Sequence, residues 1–82
     1  MHNARISTSP RLRRALEALR AAPKGLTTWE LGRRARTVAV STTVSELRAN
    51  GCQIDCRQET GPSGQKVWVY TLRSEPKGTS DA

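Results

Sequence analysis

The chain has 82 residues, of which 14 are Lys or Arg and 7 are Asp or Glu, giving a formal charge of +7. That length allows one small domain with a thin core and excludes a large dry pocket. No apolar run approaches the roughly 20 residues needed to cross a bilayer, and residues 1–10 lack the apolar centre of a signal peptide. A soluble, cytoplasmic protein with no membrane association and a polyanionic partner, nucleic acid first, is expected.

Residues 1–8 and 73–82 are polar, rich in small residues and without periodicity, so both read as disordered tails around a domain spanning 9–72. The first helix is expected at Ser9-Pro10, a capping serine followed by a proline that fits the first helical position. Leu12, Leu16 and Leu19 follow at i, i+4 and i+7, with Ala15 and Ala22 flanking, and form one apolar stripe. Arg11, Arg13, Arg14 and Arg20 lie off that stripe and read as a solvated face, with Glu17 placed for internal ion pairs. Pro23 ends the helix.

Thr27-Thr28-Trp29-Glu30 has the form of a capping box, with Leu26 and Leu31 at the two positions of a hydrophobic staple. It predicts a second helix starting near Thr28 and ending near Arg33 or Arg34. A third helix, capped by Thr37 and stopped at Asn50-Gly51, should bury Val40, Val44 and Leu47. At about 100° per residue, Val38, Thr42, Ser45 and Ala49 then face outward, flanked by Ser41 and Arg48 on one side and by Ala39 and Glu46 on the other. An outward face this small and uncharged is unusual for a helix that meets only solvent.

The remainder reads as a hairpin. Cys52, Ile54 and Cys56 alternate with Gln53, Asp55 and Arg57, and residues 67–72 are mostly β-branched or aromatic, with the turn formers of residues 59–64 between them. Ile54, Trp68, Tyr70 and Leu72 are placed toward the helices and Val67 and Val69 outward, with Trp29 also assigned to the core. On one strand, Cys52 and Cys56 would stand about 13 Å apart, too far for a disulfide. The single histidine, His2, lies in a tail, so no metal set and no cofactor are expected. An enzyme is not expected either. The span 9–72 has no histidine and no implied carboxylate pair, and Gly61-Pro62-Ser63-Gly64 is too short for a phosphate loop and has no helix after it.

Three helices followed at once by a hairpin are the order of a winged helix-turn-helix. From Leu26 to Leu72 the chain resembles the small winged helix-turn-helix domains encoded in phages and prophages. Leu26-Thr27 opens the second helix, Val44-Ser45-Glu46-Leu47-Arg48-Ala49-Asn50-Gly51 closes the third, Ile54 lies in the first wing strand, and Val69-Tyr70-Thr71-Leu72 ends the second. The turn Arg33-Arg34-Ala35-Arg36 departs from repressor-type motifs in lacking a glycine. The resemblance implies an α+β fold, a three-helix winged helix-turn-helix with a C-terminal two-stranded β-hairpin wing. It also implies a small regulator of transcription or recombination that binds double-stranded DNA.

On that reading the third helix enters the major groove. Ser41, Thr42 and Ser45 offer hydroxyls to base edges, and Val38 and Ala39 can pack on a thymine methyl. Arg33, Arg34, Arg36, Arg48, Arg57 and Lys66 are the expected phosphate contacts. Glu46 opposes the reading, since a carboxylate near the groove repels phosphate unless an arginine neutralises it. The alternative is a protein-interaction module, a phage protein docking on a host complex through Val67, Val69, the free wing edge and the thiols. RNA binding is a third option, with no exposed aromatic expected to stack on bases.

Overall fold

Helix α1, Pro10–Arg20, starts where the Ser9 hydroxyl accepts the Leu12 amide at 3.2 Å. Its stripe buries Leu12, Ala15, Leu16, Ala18 and Leu19. The computed structural model describes residues 5–76. Strand β1, Leu26–Thr27, leads directly into helix α2, Thr28–Ala35. The capping box is reciprocal: the Glu30 amide donates to the Thr27 hydroxyl at 3.1 Å, and the Thr27 amide donates to the Glu30 carboxylate at 2.9 Å. Both staple leucines, Leu26 and Leu31, are buried.

Helix α3, Val40–Ala49, buries Val40, Val44 and Leu47 as the periodicity predicts, and also Thr43. It starts later than predicted. Helix α2 runs on to Ala35, Arg36 closes it and residues 37–39 make the turn into α3, so Thr37 falls two residues ahead of the N-cap position. The Thr37 hydroxyl instead accepts the Ala39 amide at 3.0 Å, and no side chain caps α3, whose N-cap residue is Ala39.

Strands β2, Gln53–Thr60, and β3, Lys66–Ser74, form the antiparallel hairpin, with Ile54 opposite Leu72, Cys56 opposite Tyr70 and Gln58 opposite Trp68. The sheet has three strands rather than the expected two. Leu26 and Thr27 pair with Tyr70 and Val69, giving the order β1-β3-β2. The fold is therefore α+β, three helices with a three-stranded antiparallel sheet around one core that includes Leu12, Leu16, Leu31, Leu47, Ile54 and Tyr70.

Four placements differ from those expected. Val69 and Thr71 are buried although they lie on the face opposite Tyr70. The chain at Lys24-Gly25 covers them, and Arg57 reaches across to the Thr71 hydroxyl at 3.0 Å and the Lys24 carbonyl at 3.3 Å. Trp68 and Trp29, expected in the core, are instead exposed. The expected domain limits are also too tight: Ile6 is a core residue whose amide donates to the Asn50 side chain at 3.2 Å, and β3 continues to Ser74. The rest of the predicted tails, residues 1–4 and 77–82, lies outside the described residues.

Candidate nucleic-acid interface

With Val40, Val44 and Leu47 anchored in the core, α3 turns Ser41, Thr42 and Ser45 to solvent, and Val38 just ahead of it is fully exposed. Glu46 does not join that face. Arg11 of α1 donates one nitrogen to the Glu46 carboxylate at 2.6 Å and another to the Thr43 hydroxyl at 2.6 Å, and that hydroxyl donates to the Ala39 carbonyl at 2.8 Å. The carboxylate that opposed a groove-binding surface is thus neutralised and turned toward α1. Arg11→Ala should cost about 1–2 kcal/mol, read by urea denaturation, because it removes charge-assisted hydrogen bonds from partly buried partners. It should also weaken duplex binding, since the carboxylate loses its guanidinium. A fully native stability would remove this network from the account.

The basic junction is built by the end of α2. Arg36 closes the helix in the left-handed conformation, at φ 59° and ψ 49°. The Thr37 amide donates back to the Gly32 carbonyl at 2.9 Å, the long return bond of a Schellman motif. Gly32 allows the close approach that follows, since a Cβ there would stand 2.9 Å from the Thr37 carbonyl oxygen. Arg33, Arg34 and Arg36 are all exposed, and among the described residues none of them is in an ion pair. Arg14 adds a fourth cation by donating to the Ala35 carbonyl at 3.1 Å. The arginines of α1 therefore do not pair along their own helix: Arg11 reaches Glu46 and Arg20 reaches Glu75.

The other expected phosphate contacts divide. Arg48 donates to the Ile54 carbonyl at 2.7 Å, and Arg57 is held by Glu59, Thr71 and Lys24, so both tie the hairpin to the body. Lys66 is exposed at the start of β3, opposite Thr60. The valine surface of the docking alternative is reduced, because Val69 is buried, and so is Cys52, whose thiol is held above its usual pKa by burial. Cys56 is exposed, and both thiols are free.

Two aromatic residues belong to this surface instead of the core. The Arg33 guanidinium lies 4.8 Å from the centroid of the Trp29 ring. A groove of about 490 Å³ beside them is lined by Trp29, Gly32, Arg33, Arg36, Val38 and Val40. The signal for Trp29 was present in the sequence, because two residues of helix place it about 200° from the buried Leu31. Among the described residues no group of His, Cys, Asp or Glu could hold a metal ion, and no helix is long and apolar enough to cross a membrane. The chain matches no protein-family model, no curated protein and no solved structure.

Proposed function

We propose that the protein is a winged helix-turn-helix that binds double-stranded DNA, a small phage-type regulator of transcription or recombination acting in the cytoplasm and not an enzyme. In this reading α3 enters the major groove, the hairpin of β2 and β3 is the wing, and Arg33, Arg34 and Arg36 grip phosphates at the junction of α2 and α3. The observation that supports it most strongly is Arg36. A left-handed residue after a helix is usually glycine, and a side chain there costs about 1 kcal/mol. Here that conformation holds a guanidinium with no acidic partner among the described residues, next to two more in the same state. Unneutralised cations fixed on a rigid corner suit a polyanion.

Direct reading of bases should be modest. The outward face of α3 has hydroxyls at Ser41, Thr42 and Ser45 and, with Val38 before it, a methyl surface for thymine, but no Arg, Asn or Gln in its first two turns. Mobility shifts with duplex DNA, duplex RNA and single strands across a salt series test the class of partner, and strong salt-dependent binding of duplex DNA is expected. In a selection from random duplexes, Thr42→Ala and Ser45→Ala should change the preferred site while leaving the salt dependence intact. A preference that survives both substitutions would mean that α3 is not the reading element.

A further inference from the structure

Tryptophan in a chain this short usually serves the core. Here Trp29 is 67% exposed and Trp68 50%, and the two line one groove of about 560 Å³ between the start of α2 and the turn of the hairpin. Thr28, Pro62 and Lys66 are among its other lining residues, and no acidic residue lines it. Arg33, which packs against the Trp29 ring, is not among its lining residues, so the indole has a cation beside it and also borders the open groove. The volume is within the range of about 300–1,000 Å³ typical of small-ligand sites.

Aromatic plates interleaved with cations are the combination that holds single strands, the rings stacking on bases of any identity and the cations following the phosphates. Lys66 is the cation that lines the groove, and Arg33 stands beside it in an adjoining cleft shared with Glu30 and Arg34, so the net charge around the two rings is positive and suits a phosphodiester better than a basic peptide. We infer that this groove binds an unpaired stretch of DNA, with bases stacked on Trp29 and Trp68 and phosphates held by Arg33 and Lys66. The choice of DNA rests on the duplex reading above, because α2 borders both surfaces; the stacking site itself does not depend on α3.

Trp29 and Trp68 are the two tryptophans of the chain, and Trp29 also borders the groove beside Arg36, so the emission of Trp68 in a Trp29→Phe variant is the signal specific to this site. A thymidine oligonucleotide of about twelve nucleotides should quench that emission, within the length such sites cover. Anisotropy of the labelled oligonucleotide should show that Trp29→Ala and Trp68→Ala each weaken binding about tenfold, with Trp→Phe at either position recovering part of the loss. Thr42→Ala with Ser45→Ala should leave this affinity unchanged. Absence of quenching at low salt, alanine variants with native affinity, or preference for a uridine RNA of equal length would each overturn the inference. Absence of duplex binding by the unaltered protein, with thymidine binding present, would instead refute the major-groove reading and leave this site standing. Circular dichroism of each variant verifies the fold, and Trp29→Phe and Trp68→Phe serve as the test if an alanine variant unfolds.

Discussion

Replacing Arg33, Arg34 and Arg36 together with alanine should lower duplex affinity by on the order of 10²–10³-fold at about 0.1 M salt. The magnitude follows from counterion release: each phosphate contact contributes about 0.9 to the slope of log K against log salt, so three lost contacts flatten it by about 2.7. Non-cognate duplexes should suffer as much as cognate ones, because backbone contacts do not carry sequence information. A titration series from low to high salt measures both quantities at once, and an unchanged slope would remove this corner from the interface. Arg36→Gly separates the backbone of that residue from its charge. Relieving the left-handed strain should raise stability by about 1 kcal/mol, while the slope still falls by about 0.9. A more stable protein that binds less well is the expected result.

Gly25→Ala should have the largest effect on folding. Gly25 has φ +101°, and a Cβ there would stand 2.6 Å from a Val69 methyl, 2.7 Å from the Thr71 hydroxyl and 3.0 Å from the Tyr70 carbonyl oxygen. The positive φ costs a side chain about 1–2 kcal/mol and the overpacking about 1–3 more. A domain of this size commonly has about 3–5 kcal/mol of core stabilisation, so most of it would be lost. Urea unfolding should show a much lower midpoint with a similar slope. A midpoint near that of the parent would mean that the Lys24-Gly25 segment does not pack on the sheet.

The features legible in the sequence are those set by short-range geometry. The leucine stripe of α1, the capping box of α2 and the buried face of α3 each depend on residues three or four apart, and the structure reproduces all three. Strand β1 was not legible, because two residues have no period and their pairing with Tyr70 and Val69 spans more than forty positions. The same distance explains why β3 is covered on both faces, Tyr70 and Leu72 by the helices and Val69 and Thr71 from the other side. Alternation is symmetric, and what buried Val69 was cover supplied by Gly25 and Arg57, neither of them a neighbour in sequence. Ile6 was missed as an isolated apolar residue in a polar stretch.

At the candidate site the triplet of arginines is readable as a run of charge, but the backbone state of Arg36 is not, since nothing in its side chain favours a left-handed conformation. Arg48 and Arg57 looked equivalent to that triplet. Their engagement with the Ile54 and Lys24 carbonyls depends on how the hairpin folds back. The pairing of Arg11 with Glu46, 35 positions apart, is likewise a product of helix packing, and it removed the one objection that the sequence raised against the α3 surface.

Asn50 and Gly51 form the corner after α3, and both ends of the described chain come close to it: Ile6 bonds to the Asn50 amide oxygen, and Pro76 lies against Gly51. That corner is at the opposite end of α3 from Val38 and Ser41. A fluorescent protein, an affinity tether or a second domain attached directly at Ile6 or Pro76 would thus be anchored distal to the face offered to the duplex. A circular permutation joining the two through a short spacer would leave that face unobstructed.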